Sequence, residues 1–186
     1  GSANFGQQYG ILKNNILSID KINKILLFAA NNNIFKIDTS PIYGNAEKII
    51  GSFLKSNKNI ADRFKIITKI PKNLSSSISP EDSIEKMLEE SLNNLSVKKI
   101  DTLMIHDVDD FCLILSDKII KLLEEFKVKK LVNRIGMSIY NKRQYDELNS
   151  LLPVDLVQLP INILDQRMLS NGLLEELKGK LVEIHA

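Results

Sequence analysis

Cysteine is nearly missing from this sequence. The single thiol, Cys112, has no partner with which to close an internal disulfide. A chain without cross-links suits a reducing compartment, so a cytoplasmic location is expected and Cys112 reads as packing. Long apolar runs are also lacking. None approaches the roughly 18 unbroken residues of a membrane span, and the N-terminus has no basic region followed by an apolar core, as a secretory leader would. No membrane association is expected. Charge of one sign is not in excess either: 25 Lys and Arg face 23 Asp and Glu, for a net +2. With no long basic run, this argues against a nucleic-acid partner. Histidine is scarce. His106 and His185 are the only two, and no HxH or HExxH spacing occurs, so a metal-dependent hydrolase would lack its ligands and no metal site is expected. No glycine-rich fingerprint follows an early strand, which weakens an open dinucleotide-binding sheet. No low-complexity linker divides the 186 residues, so one domain over 1–186 is expected.

What the sequence does contain is alternation. Short runs rich in Ile and Val recur at Ile34–Asp38, Phe64–Ile70, Ile100–His106, Arg134–Ile139, Val154–Leu159 and Leu181–Ala186. The N-terminal "GSANFG" is a seventh strand candidate. Stretches of helical period lie between the runs. The clearest is Pro80–Leu95, with Ser79 as N-cap, Pro80 in the first turn, Glu81 and Asp82 at the positive helix end, and Ile84, Leu88, Ser91, Leu92 and Leu95 in one stripe. Ser18–Asn31, Asn45–Leu54, Asp117–Lys129, Asn141–Leu152 and Leu173–Lys178 have the same period. Pro153 and Gly179 stop the last two. Strands alternating with amphipathic helices imply parallel pairing through crossover helices, and strands this apolar are buried on both faces. The architecture is then an open doubly wound sheet or a (β/α)8 barrel of the TIM type, here with about seven strands and six helices.

In a barrel the chemistry sits at the C-terminal ends of the strands. Reading those ends in order gives Asp38, with Tyr43 in the loop that follows, then Lys69, His106, Ser138 and Gln158. Taken singly, each has an ordinary explanation. Asp38 suits a turn, Tyr43 a surface ring, and His106 a satisfied strand end. A lysine inside an apolar strand is harder to dismiss, because buried lysines need partners. Together the first four make chemical sense. A phenol is a weak proton donor at neutral pH, and an ammonium beside it stabilises the phenolate. A carboxylate holds that ammonium in place, and an imidazole can hydrogen-bond a carbonyl oxygen. Such a set is a general acid aimed at a carbonyl, as hydride addition requires, with the hydride coming from a cofactor.

These segments resemble the aldo-keto reductases. "IDTSPIYGNAEKIIG" resembles the family's Asp-Thr-x-x-x-Tyr-Gly-x-x-Glu signature, "ITKIPK" its lysine-bearing strand, and "SLNNLSVKKIDTLMIHDVD" its Ser-Leu…Leu…Asp-Leu…His segment. "RIGMSIYN" is similar to its Gly-Val-Ser strand, "DLVQLPINILDQR" to its Gln-x-x-x-Asn strand, and "GSANFGQQYGI" to the opening strand of a bacterial branch. The resemblance implies a (β/α)8 barrel, NADPH as cofactor and a small-molecule carbonyl substrate, with sugar-derived carbonyls in view. It implies Tyr43 as general acid, Lys69 as its partner, Asp38 as the anchor of Lys69, and His106 as the group orienting the carbonyl. Ser138 and Gln158 match positions that hold the nicotinamide carboxamide, Asn162 a residue near that ring, and Glu47 a structural position at a helix start. A catalytically silent cofactor-binding subunit is the alternative that the same resemblance allows. Two departures accompany it. Ile139 stands where the family's strand continues Ser-Asn, and the sequence reaches seven strands where a closed barrel has eight, so the barrel is expected to be incomplete at its C-terminal side.

Overall fold

In the computed structural model, residues 1–9, 17–74, 77–170 and 172–185 are described. Six strands form one sheet, in chain order and parallel throughout: β1 (Lys36–Asp38), β2 (Lys65–Ile70), β3 (Ile100–Ile105), β4 (Val132–Ser138), β5 (Leu156–Pro160) and β6 (Leu181–His185). Sequential order with parallel neighbours is the wiring of a barrel, not of a doubly wound sheet, whose order reverses partway. The sheet curls far enough for distant strands to touch through their side chains. Lys36 of β1 pairs with Glu183 of β6, and Gln158 of β5 donates to Asp38 of β1. The last residue expected on the sixth apolar run, Ala186, lies outside the described residues.

The principal helices cover the outer face of this sheet: α2 (Ile19–Asn31), α3 (Ala46–Ser56), α5 (Pro80–Leu95), α7 (Asp117–Val128) and α8 (Lys142–Leu151). Four of the five begin at a capping side chain that accepts from a backbone N–H in the first turn. Ser18 caps α2, Ser79 caps α5, Ser116 caps α7 and Asn141 caps α8, which satisfies donors that the helix itself leaves unpaired. Each then turns one apolar stripe inward: Ile22, Leu26 and Ala30 on α2, Ile84, Leu88 and Leu95 on α5, Ile119, Leu123 and Phe126 on α7. These pack on the outward strand residues in one continuous core. The barrel interior holds a separate and much smaller apolar cluster of Ile67, Met104 and Leu156, from β2, β3 and β5.

Two expectations change. "GSANFG" is not a strand: Ala3–Gly6 forms a single helical turn, α1, so the described residues carry six strands and not seven. Six residues cannot establish an alternating pattern, and here close packing decides. Phe5 is buried, and Gly6 lies so near the turn after β1 that a Cβ on it would stand 1.9 Å from the Tyr43 carbonyl oxygen. Short helices also appear where no period was legible, at α4 (Lys58–Ala61), α6 (Val108–Ile114) and α9 (Arg167–Ser170), while the helix expected at Leu173–Lys178 is the shorter α10 (Leu173–Glu176). One or two turns are too few for a 3.6-residue repeat to show.

Candidate active site

The C-terminal strand ends bring Asp38, Tyr43, Lys69 and His106 to one rim. Lys69 is the penultimate residue of β2 and points into the barrel, only 2% exposed. Its ammonium has three protons and meets three acceptors: Asp38 Oδ1 at 2.7 Å, the Tyr43 hydroxyl at 3.2 Å and the Thr39 carbonyl at 3.3 Å. A buried ammonium is tolerated when its hydrogen bonds are complete and an opposite charge is close, and both conditions hold. Asp38 ends β1. Its second oxygen accepts from Gln158 Nε2 at 3.0 Å, so the carboxylate is gripped from both sides.

Tyr43 reaches this cluster because the chain after β1 turns sharply. Its N–H bonds to the Ser40 carbonyl, Gly44 takes a left-handed conformation (φ 58°), and α3 starts two residues later. A Cβ on Gly44 would also stand 2.3 Å from the Gly6 carbonyl oxygen, so the turn requires glycine. His106, just past β3, sets its ring edge-on to Tyr43, with centroids 6.2 Å apart and an interplanar angle of 87°. Burial and the positive charge of Lys69 push the His106 imidazole down to about 4, against a smaller opposing pull from Asp38 and Asp107. At neutral pH it is therefore uncharged and can donate one hydrogen bond without bringing a second cation beside Lys69.

Ser138, the last residue of β4, and Gln158, midway along β5, are cross-strand partners. Ser138 is buried, and its hydroxyl makes no hydrogen bond among the described residues. A free hydroxyl beside a side-chain amide suits a ligand amide, which both donates and accepts. Asn162 stands four residues beyond Gln158 in the loop. Its Oδ1 accepts from the N–H groups of Leu164 and Asp165, at 2.9 and 3.0 Å, so that oxygen shapes the loop. A groove of about 780 Å³ lies at the opposite strand ends, lined in part by Lys65, Asp101 and Asn133. None of the rim residues lines it, and the chemical reading follows the rim, where complementary groups converge.

Sequence reasoning missed a second polar cluster behind the rim. Glu47, in the first turn of α3, is 3% exposed and accepts from Thr68 Oγ1 at 2.7 Å and Ser91 Oγ at 3.2 Å. The signal was present. Glu47 falls on the inward stripe of α3 with Ile50, Gly51 and Leu54, a place where a carboxylate is out of character.

The profile of the Aldo/keto reductase family matches residues 1–183. This chain belongs to the aldo/keto reductase family. It is 28% identical over 154 residues to the oxidoreductase YdhF of Escherichia coli, an alignment covering 76% of this chain and 51% of that protein. The chain therefore spans about half the length of that relative. Among solved structures, an aldo-keto reductase from Pseudomonas aeruginosa superposes with a TM-score of 0.79 at 20% identity, covering 98% of this chain and 70% of that one. The glycerol dehydrogenase of Gluconobacter oxydans gives 0.74 at 22% identity, covering 98% and 56%. At these identities the two superpositions speak for the barrel fold. As a member of this family, the chain carries its acid, phenol, amine and imidazole on the rim where barrel enzymes place their chemistry.

Proposed function

We propose that this aldo-keto reductase chain carries the catalytic rim of an NADPH-dependent carbonyl reductase, which converts an aldehyde or ketone, with sugar-derived carbonyls as candidate substrates, to the alcohol. The observation that carries the reading is the 3.2 Å contact between the Tyr43 hydroxyl and a Lys69 ammonium that is itself anchored to Asp38. Reduction of a carbonyl adds a hydride to carbon and a proton to oxygen. When bound, the nicotinamide cofactor supplies the hydride. The protein supplies the rest. Tyr43 gives its hydroxyl proton to the carbonyl oxygen, and the adjacent ammonium stabilises the phenolate left behind. Asp38 keeps Lys69 charged and aimed. Neutral His106 donates to the same carbonyl oxygen and fixes its direction. Ser138 and Gln158, with Asn162 at the edge, would hold the nicotinamide amide.

The partner is then a small-molecule carbonyl. Among the described residues no helix is long and apolar enough to cross a membrane. The test uses the full-length protein, a panel of aldehydes and sugar-derived ketones, and NADPH and NADH in parallel, followed by loss of reduced-nicotinamide absorbance. Turnover that disappears in Tyr43→Phe supports the reading. Turnover that survives at the wild-type rate in that variant overturns it.

A further inference from the structure

Two carboxylates are buried among the described residues. Asp101 pairs with Arg134. Glu47 has no cation: its partners are the hydroxyls of Thr68 and Ser91 and the Asn94 side chain. Burial pushes its carboxyl above the ordinary value in spite of those hydrogen bonds. An aliphatic side chain would fill the same space without the cost of burying an acid. What the acid adds is direction, because its hydrogen bonds tie three elements together at fixed points.

Those elements are the ones that carry the rim. Thr68 directly precedes Lys69 on β2. Strand alternation sends the threonine hydroxyl out to Glu47 and the lysine ammonium in to Tyr43. Glu47 lies four residues after Tyr43, and α3 is joined to that turn by the Ala46 N–H to Tyr43 carbonyl bond of 3.2 Å. The third tie runs to Ser91 on α5, and one turn further along α3 meets α5 backbone to backbone. A Cβ on Gly51 would stand 2.1 Å from the Asn94 carbonyl oxygen. We propose that Glu47 is a positioning residue for the carbonyl reduction: from the outer side of the sheet it sets the separation of the Tyr43 hydroxyl and the Lys69 ammonium through Thr68 and the first turn of α3. This inference rests on the functional reading above.

The experiment compares Glu47→Leu, Glu47→Gln and a control, Leu123→Ala, in the full-length protein. Leu123 is buried in the outer layer on α7, so its truncation lowers stability without touching the tie. In Glu47→Leu, kcat is expected to fall about tenfold or more, KM for the carbonyl to stay within about twofold, and a crystal structure to show Tyr43 and Lys69 further apart than the 3.2 Å found here. Glu47→Gln keeps polar atoms facing both hydroxyls and is expected to recover most of kcat. Leu123→Ala is expected to lower Tm and leave kcat intact. If Glu47→Leu does not fold, Thr68→Val removes one tie at nearly constant volume and is expected to lower kcat in the same direction. A wild-type kcat and an unchanged Tyr43–Lys69 separation in the tie variant overturn the proposal, and so does an equal loss of kcat in Leu123→Ala. If the wild-type protein reduces no carbonyl, the functional reading fails by itself, and the Tyr43–Lys69 separation in the variant still decides the positioning role.

Discussion

The two faces of the sheet are built on opposite principles. The outer face is apolar almost throughout: Ile66, Ile70, Leu103, Ile105, Ile135 and Val157 meet the inward stripes of the helices. The inner face has a small apolar waist of Ile67, Met104 and Leu156. Around it lie Lys69 with Asp38, and Lys36 with Glu183. Burying apolar surface stabilises at about 25 cal/mol per Å² wherever it occurs, so the large outer layer holds the fold. The interior spends its few positions on charged and hydrogen-bonding groups whose value lies in direction. Stability and chemistry are thereby assigned to alternate residues of the same strands, Ile70 and Lys69 being the sharpest case.

That division can be broken experimentally, and the expected effects rank clearly. The largest falls on the inner face: Tyr43→Phe is expected to lower kcat by about 10²- to 10⁴-fold with little change in the urea midpoint. Lys69→Met comes next and affects both properties. It leaves the mostly buried Asp38 carboxylate without its cation, and unfolding free energy is expected to drop by about 3–5 kcal/mol along with turnover. On the outer face, Leu123→Ala should cost about 2–5 kcal/mol by denaturant titration and leave kcat/KM near wild type. A similar loss of activity in that variant would erase the contrast. A smaller effect concerns acid. The unfolded chain protonates His106 near its ordinary 6.5, whereas the folded chain resists until about 4. The folded state thus binds fewer protons in that window, and stability is expected to fall as pH drops from about 6.5 to about 4. Thermal melts of wild type and His106→Gln across that range check it, the variant giving the flatter curve. The smallest effect lies on the solvent side of the helices, where the Lys24–Asp20 pair is fully exposed; Lys24→Ala is expected to leave Tm unchanged.

Much of this arrangement was legible in the sequence, for identifiable reasons. The helix at Pro80–Leu95 begins and ends where Ser79, Pro80 and its stripe predict, because capping and amphipathicity are local. All six strands fall within a residue or two of the apolar runs. Asp38, Lys69 and His106 could be assigned to strand ends because each closes or nearly closes such a run. "GSANFG" forms a helical turn and not a strand because its conformation depends on contact with the Tyr43–Gly44 turn, far along the chain. Glu47 was read as structural from its place at a helix start, but its partners Thr68 and Ser91 lie 21 and 44 residues away. The place of Asn162 near a ligand rests on the family resemblance alone; the structure adds that its side-chain oxygen closes its own loop.

By itself the sequence determined the alternation of strand and helix, the caps, the apolar stripes and the chemical inventory of the strand ends, all of which depend on neighbours within a few residues. Only the tertiary structure decided which of those groups meet. The curl of the sheet brings Gln158 onto Asp38 across 120 residues of chain, lets one ammonium find three acceptors, and puts Thr68 against Glu47. Such distances follow from how six strands coil around a shared interior, a collective property that no local repeat encodes.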